Sequence, residues 1–164
     1  MKTLYIIRHA KSDWPDAGLH DIERPLAPRG LKDAPLMAQV LMKKGRMPEI
    51  MISSPALRAF TTCRIFCTEM KMDADAIVIQ PELYFGDIAL IEKLIQAAFA
   101  EADTICIFGH NPTFSVLANH FAPEFGGEMP TCGIVAITFN GSTPEKVEGG
   151  KGKMLWFEYP KKNR

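Results

Sequence analysis

The sequence predicts an α/β fold of three layers, in which helices cover both faces of a mostly parallel central sheet. Strand-like and helix-like patterns alternate along the chain, and such alternation is typical of parallel sheets whose strands are joined by helices. Two strand patterns, Leu4–Ile7 and Ile105–Phe108, are continuous apolar runs, as expected for strands buried on both faces. The length of 164 residues favours one domain covering residues 1–164.

The patterns indicate six strands and four helices. We expect strands near residues 3–8, 49–53, 76–79, 104–108, 132–139 and 153–159, and helices near residues 29–44, 56–71, 87–100 and 113–121. The first helix contains Pro35, which lacks the N–H that a helix interior needs and clashes with the preceding turn. This helix therefore either begins late, near Asp33, or is kinked.

The second and third helices carry apolar residues at helical spacing. In the second helix we expect a core stripe of Ala56, Phe60, Cys63, Cys67 and Met70, with Ile65 less well placed. In the third helix one face holds Ile88, Ile91, Leu94, Ile95 and Ala98, while Glu92, Lys93 and Gln96 lie outside. Residues 10–28 and 140–152 are rich in turn-forming residues and are expected to be loops, the second joining the last two strands.

Charge and cysteine content exclude several classes of function. The 19 basic side chains balance 19 acidic ones, so nothing indicates a nucleic-acid partner or a polybasic membrane surface. The chain begins directly with a strand and has no apolar run that could span a bilayer, and we therefore expect a cytoplasmic protein. The four cysteines form no CxxC pair and are expected to be buried free thiols.

Candidate functional residues follow three of the predicted strands. Arg8 and His9 come directly after the first strand, a Ser-Pro turn places Arg58 early in the second helix, and the fourth strand ends in a Gly-His-Asn-Pro sequence that contains His110. Because parallel strands share one carboxyl edge, where open α/β sheets bind ligands, we expect these four groups to converge on one pocket. An arginine fork suits phosphate oxygens, and imidazole is a nucleophile near neutral pH.

Each of these residues has a simpler interpretation when it is taken alone. Arg8 and His9 could be a charged strand end, Arg58 a surface arginine and His110 a structural histidine. Phosphoryl transfer depends mainly on positioning and on neutralising the equatorial oxygens, which two arginines and a histidine could do together. Backbone amides at the start of the helix after His110 could add further donors.

Taken in order, the three blocks resemble those of the histidine phosphatase superfamily, whose nucleophile lies in an Arg-His-Gly motif. The short chain, the Arg-His-Ala-Lys-Ser variant of that motif and the segment Glu23-Arg24-Pro25-Leu26 with Arg29-Gly30 are most similar to the SixA-type phosphohistidine phosphatase branch. The resemblance covers about residues 3–120 and departs from the superfamily at Ala10, where glycine is usual. Alanine rules out any backbone conformation that only glycine accepts.

The resemblance implies a phosphoglycerate mutase-like fold and a phosphatase, a hydrolase that uses no metal or other cofactor. It implies that His9 forms a covalent phosphohistidine while Arg8, Arg58 and His110 hold the phosphate. Lys11 and Ser12 lie beside the motif and could also touch phosphate, although a solvated loop is an equal alternative for Lys11. The chain itself shows no metal-ligand spacing, and arginines can take the place of a cation.

The general acid is the least determined part of the expected site. Larger superfamily members use a glutamate shortly before a glycine after the third strand, and Glu82 has about that place before Gly86, although it could equally flank a strand. Asp13, Asp21 and Asp87 are the other carboxylates that could reach the pocket. A phosphohistidine substrate needs little acid, because imidazole leaves readily once its free nitrogen is protonated.

The expected substrate follows from the absence of a large insertion. Only about one helix separates the third and fourth strands, which leaves no room for a lid of the kind that encloses small substrates. We therefore expect removal of phosphate from histidine on a protein, for example a histidine-phosphotransfer domain. The alternatives are a small-molecule phosphomonoesterase or mutase on the same fold and, less favoured, a non-catalytic phosphate-binding module. No cysteine has the Cys-x5-Arg spacing of cysteine phosphatases.

Overall fold

The structure, a computed structural model, describes residues 1–164 and contains one six-stranded sheet. The strands are β1 (Lys2–Arg8), β2 (Ile50–Ser53), β3 (Val78–Ile79), β4 (Thr104–Gly109), β5 (Ile134–Phe139) and β6 (Gly152–Glu158). The helices are α1 (Pro28–Lys44), α2 (Leu57–Met70), α3 (Ile88–Phe99), α4 (Thr113–Phe121) and the short α5 (Pro160–Asn163). All six predicted strands and all four predicted helices are therefore present, and only α5 is additional.

The sheet has the strand order β3-β2-β4-β1-β5-β6. The pairs β1–β4, β2–β4 and β2–β3 are parallel, and β5 is antiparallel to both of its neighbours. Only β5 therefore runs against the other strands, which confirms the mostly parallel sheet. In this register Arg8 pairs with Gly109 and Ser53 with Phe108, so the chain leaves β1, β2 and β4 at the same edge.

The core lies on both faces of the sheet, which explains the continuous apolar run of β1. Leu4 and Ile6 pack in a cluster with residues of α3 and α4, whereas Tyr5 and Ile7 pack on the opposite face with residues of α1 and α2. All four side chains are buried, and full burial of an aliphatic side chain contributes roughly 1.5–3 kcal/mol. Helices therefore cover both faces of the sheet, which gives the three-layer α/β/α arrangement.

The first helix agrees with its predicted range, whereas the second differs from the prediction in its buried face. The first helix starts at Pro28, where the missing N–H is not needed, and continues through Pro35, so the late start near Asp33 is excluded. In α2 the buried stripe includes Ala59 and Phe66, whereas Phe60 and Ile65 are only partly buried. The predicted stripe was wrong at these positions because the buried face follows the i, i+4, i+7 spacing from Ala59.

The predicted loops lie where they were expected. The chain between β1 and α1 contains a short 3₁₀ turn at Asp21–Glu23 and a bridge between Ser12 and Leu26, and the chain between β5 and β6 forms the second loop. The four cysteines are buried and unpaired, as predicted. None of the helices combines the length and the apolar character that crossing a membrane would require.

Candidate active site

A pocket of about 340 Å³ opens at the edge where β1, β2 and β4 end. It is lined by Arg8, His9, Lys11, Ser12, Asp21, Arg24, Arg58, Phe85, His110, Asn111 and Thr131. The structure therefore brings together six of the seven residues that the sequence analysis singled out for the site. The seventh, Glu82, is not among the residues that line the pocket.

The backbone that carries His9 is fixed on both sides. The N–H of His9 donates to the carbonyl of Gly109 at 2.9 Å, and the N–H of Ala10 donates to Oγ1 of Thr62 at 3.0 Å. Ala10 is fully buried and does not adopt a positive φ, so alanine replaces the usual glycine without backbone strain. At Gly109 a Cβ atom would clash with the ring of Phe114 on α4, which explains the glycine before His110.

The contacts of His9 leave one ring nitrogen available for attack. Nδ1 lies 2.7 Å from the carbonyl oxygen of Ala10, and because a carbonyl only accepts, Nδ1 carries the proton and Nε2 keeps its lone pair. Burial, assisted by the nearby Arg58 and Arg8, lowers the pKa of His9 to about 4, although the contact with Ala10 opposes this shift. His9 is therefore uncharged at neutral pH, as a nucleophile must be.

His110 lies beside His9, with 5.3 Å between the ring centres. Its Nε2 is 2.8 Å from Oγ of Ser54, while Nδ1 is buried and has no hydrogen-bond partner in the protein. Burial, together with the neighbouring His9 and Arg58, lowers the pKa of His110 to about 3. The ring is therefore neutral and can present only one N–H at neutral pH.

Asp21 connects three separate segments around the pocket. Arg58 donates from Nη1 to the carbonyl of Asp21 at 2.6 Å and from Nη2 to Oδ2 at 2.9 Å. Tyr84 donates its hydroxyl to the same Oδ2 at 2.7 Å, and Arg24 donates to Oδ1 at 3.1 Å. Although partial burial alone would raise the pKa of Asp21, the hydrogen bonds from Tyr84, Arg58 and Arg24 lower it to about 2. Asp21 is thus a fixed anion that orients the buried Arg58.

The other two arginines of the pocket lining are also held by protein contacts. Arg8 donates from Nη1 to the carbonyl of Met129 at 2.9 Å, and its Nε is buried without a partner. Arg24 donates to Oγ of Ser12 at 3.0 Å and lies 4.6 Å from the centre of the Trp14 ring. These contacts hold two guanidinium groups in place before any ligand binds.

The charges of the lining residues favour a multiply charged anion. Arg8, Lys11, Arg24 and Arg58 are cationic, and Asp21 is the only lining carboxylate, whereas the whole chain has a formal net charge of 0. The positive charge is therefore concentrated locally in a chain that is otherwise balanced. No group of three or more His, Cys, Asp and Glu side chains is arranged to hold a metal ion.

The start of α4 contributes less than the sequence suggested. The N–H of Phe114 already donates to the carbonyl of His110 at 2.8 Å, and the N–H of Ser115 donates to Oδ1 of Asn111 at 3.1 Å. Asn111, which precedes the helix, therefore satisfies the N–H of Ser115 with its side chain, and these two amides are not free for a ligand. The expectation of a helix N-terminal contribution is wrong for both of them.

Comparison with known proteins identifies the family. Residues 4–93 match the sequence model of the histidine phosphatase superfamily, branch 1. The chain belongs to the histidine phosphatase superfamily. A protein of Mycobacterium tuberculosis strain H37Rv, described as uncharacterized, is 30% identical over 94% of this chain and 100% of its own length. The phosphohistidine phosphatase SixA of Escherichia coli is 28% identical over 93% of this chain and 91% of its own length.

The solved structures agree with this assignment at the level of the fold. The protein histidine phosphatase SixA in complex with tungstate superposes with a TM-score of 0.83 at 24% identity, and the match covers 99% of both chains. At this identity the likeness establishes the fold, which is that of a histidine phosphatase. The family and the SixA-type resemblance expected from the sequence motifs are therefore confirmed.

The structure distinguishes among the four carboxylates that the sequence of this histidine phosphatase offered to the pocket. Glu82 lies in a 3₁₀ turn, Pro81–Leu83, and its Oε2 is buried without a hydrogen-bond partner. Asp87 instead caps α3 by accepting from the N–H of Leu90 at 2.8 Å, and Asp13 accepts from the N–H next to it in the sequence. Only Asp21 reaches the pocket, so the role of Glu82 as an acid stays a prediction.

Several residues that shape this site were not predicted from the sequence. Ser54, Tyr84 and Phe85 were not singled out, although each lies within four residues of a recognised motif. Phe85 is 59% exposed and has a φ of 66°, which a non-glycine residue adopts only at a cost of about 1–2 kcal/mol. An exposed aromatic residue in such a conformation signals a functional surface, but only the structure reveals it.

Proposed function

We propose that this histidine phosphatase removes phosphate from histidine side chains of proteins and that His9 is its nucleophile. The observation that carries the proposal is the state of His9: it is neutral, its Nδ1 is engaged by Ala10, and its Nε2 is free in a pocket lined by cations. A neutral imidazole beside fixed guanidinium groups is suited to attack an anion that it could not otherwise approach.

The reaction takes place in two displacements. The lone pair on Nε2 of His9 forms a bond to phosphorus while the P–N bond to the substrate imidazole breaks, and that bonding pair returns to the substrate nitrogen. Water then attacks the phosphorus of phospho-His9 while the bond between phosphorus and Nε2 breaks. The bonding pair returns to Nε2, which regenerates neutral His9, and the protons of the water stay with the released inorganic phosphate. Arg8, Arg58 and the N–H of His110 hold the equatorial oxygens in both steps.

The pocket supplies little acid, and the proposed substrate needs little. Asp21, the only lining carboxylate, is held ionised by its hydrogen bonds, with a pKa of about 2. A substrate imidazole that carries a proton on its free nitrogen leaves as a neutral group, so no protein acid is required. The leaving group of an alkyl phosphate would depart as an alkoxide unless an acid protonated its oxygen. The scarcity of acid in the pocket therefore disfavours this substrate class.

The rim of the pocket favours a phosphate carried by a protein. Trp14 is 49% exposed beside Arg24, and Phe85 is 59% exposed on the lining. Exposed aromatic residues around a cationic pocket are typical of protein contact surfaces. The full-length similarity to the phosphohistidine phosphatase SixA supports the same choice, and a histidine-phosphotransfer domain is the proposed kind of partner.

We also propose that the reaction needs no metal ion. Two guanidinium groups that are fixed before substrate binds, Arg8 by Met129 and Arg58 by Asp21, provide the charge that a divalent cation provides in many phosphatases. Lys11 and Ser12 line the same pocket, and we assign them at most an auxiliary contact with phosphate. Ser12 already accepts a hydrogen bond from Arg24.

The decisive experiment measures both turnover and the intermediate. The kcat/KM of the wild type is compared on a phosphohistidine protein and on alkyl phosphates such as a sugar phosphate, and the reaction is quenched with base, which preserves phosphohistidine. Since the chain has four histidines, peptide mapping assigns the trapped phosphate. We expect it on His9, with none in His9→Ala and normal trapping in the control His120→Ala, whose ring pairs with Glu92 away from the pocket.

The outcomes separate the parts of the proposal. Turnover by His9→Ala at wild-type rate would refute the nucleophile. Trapping on His9 together with a clear preference for an alkyl phosphate would keep the histidine phosphatase chemistry and reject the phosphohistidine substrate.

A further inference from the structure

Ser54 and His110 form a buried pair directly behind the pocket. Ser54 follows β2 and is fully buried, and His110 follows β4 and is 2% exposed. The N–H of Ser54 donates to the carbonyl of Phe108 at 3.0 Å, which holds the serine beside β4. Its Oγ lies 2.8 Å from Nε2 of His110, although 56 positions separate the two residues in the sequence.

The hydrogen-bond inventory of Ser54 determines which atom carries the proton. Its Oγ accepts from the N–H of Ala56 at 3.1 Å, and its other hydrogen-bond contact is Nε2 of His110. A hydroxyl has one proton to donate, and Nε2 is the acceptor in that contact. If Nε2 carried the ring proton instead, the hydroxyl proton would be buried without an acceptor, at a cost of roughly 1–3 kcal/mol.

The other ring nitrogen of His110 has no partner in the protein. Nδ1 is buried and unpaired, and the residue lines the pocket, so a group bound there is the partner that remains. A bare Nδ1 lone pair would repel phosphate oxygens, whereas an Nδ1–H would donate to them. Both arguments select the same tautomer of a ring that carries a single proton at neutral pH.

We propose that Ser54 is a positioning residue that donates its hydroxyl to Nε2 of His110 and thereby places the ring proton on Nδ1, where it binds the transferring phosphate. The inference rests on the proposed function, because it takes phosphate as the ligand of Nδ1–H. Ser54 itself does not touch the substrate. It acts in the way that an outer partner orients a histidine ligand in a metal site, where loss of the partner typically costs about 10–100-fold.

Ser53, the last residue of β2, provides a matched control one position away. It is also fully buried, and its hydroxyl donates to the carbonyl of Ser54 at 2.9 Å rather than to His110. Ser53→Ala therefore removes a buried serine hydroxyl one residue away and leaves the contact with the ring intact. Ser54→Thr keeps the hydroxyl and tests whether this group, rather than the side-chain volume, is required.

The test reads the tautomer directly by nitrogen-15 NMR of the imidazole, alongside kcat/KM on a phosphohistidine protein. In the wild type and in Ser53→Ala we expect the proton of His110 on Nδ1, and in Ser53→Ala a kcat/KM within about 3-fold of the wild type. In Ser54→Ala we expect a mixture of tautomers and a loss of kcat/KM of about 10–100-fold. Ser54→Thr should restore both the Nδ1 proton and most of the activity.

Two results would overturn the inference. One is a wild-type ring proton on Nε2, and the other is a folded Ser54→Ala variant that keeps both the Nδ1 proton and wild-type kcat/KM. The same wild-type and variant proteins are also quenched with base, and phosphate trapped on His9 would show that the proposed nucleophile is correct. Failure of this inference is therefore distinguishable from failure of the proposed function.

Discussion

The two buried histidines should make this protein lose stability in mild acid. His9 has a pKa of about 4 in the folded chain, against an ordinary value of about 6.5. Between these values the unfolded chain binds a proton that the folded chain does not, so the free energy of unfolding falls as the pH is lowered. A difference of about 2.5 pKa units corresponds to about 3 kcal/mol, all of which is lost between pH 6.5 and pH 4.

His110 adds a second loss over a slightly wider range, because its pKa in the folded chain is about 3. While both rings stay neutral in the folded chain, the slope approaches about 2.7 kcal/mol per pH unit, and it flattens as His9 titrates near pH 4. Since a small domain is stable by only about 5–15 kcal/mol, the effect is large enough to unfold the protein. Above pH 7 neither histidine affects the pH dependence.

The assay is urea unfolding at several pH values between 7 and 4.5, followed by circular dichroism. His9→Gln and His110→Gln should each remove about half of the slope, and a double variant should remove nearly all of it. His20→Gln, which changes an exposed histidine outside the pocket lining, is the matched control and should keep the wild-type slope. Equal slopes for the wild type and the double variant would refute the reasoning, because burial of neutral imidazoles would then not control the acid stability.

Three further predictions concern the chemistry. Arg58→Ala should lower kcat/KM by about 10²–10³-fold, and Arg58→Lys should recover little of it, because an ammonium lacks the planar fork that holds Asp21 through two separate nitrogens. Lys11→Ala should cost far less, and an equal loss would reassign the phosphate clamp. Turnover should be unchanged by a chelator and inhibited competitively by tungstate. Loss of activity in the chelator, restored by adding a divalent cation, would reject charge neutralisation by arginine. Glu82→Gln should change kcat/KM on phosphohistidine by less than about 3-fold while slowing alkyl phosphate hydrolysis more; a large loss on phosphohistidine would make Glu82 the general acid.

The sequence predicted the central sheet well because burial on both faces leaves a strong signal. The apolar runs Leu4–Ile7 of β1 and Ile105–Phe108 of β4 are uninterrupted, and the polar residues of each strand lie at its ends. The positions of Arg8, His9 and His110 at one edge then follow from parallel pairing, since adjacent parallel strands end together. Local pattern and topology were sufficient for these three residues.

Contacts that depend on loops were decided only by the tertiary structure. Asp21 was one of several carboxylates that could have reached the pocket, and it meets Arg58 and Tyr84 across 37 and 63 positions of sequence. Glu82 had a motif-like place, yet its 3₁₀ turn leaves it outside the pocket lining. Loop conformation has no period that a sequence pattern could reveal, so neither outcome could be read in advance.

The sequence by itself determined the fold class, the family and the four residues that converge on the pocket, because each is encoded by a strand pattern and the residues that follow it. The tertiary structure alone decided the electrostatic state of that pocket. Burial makes His9 and His110 neutral, and Asp21 is kept ionised by three donors from separate segments. The proton of His110 is assigned by Ser54, which reaches the ring only when β2 and β4 pair. Protonation depends on solvent access and on neighbours in space, and neither exists until the chain has folded.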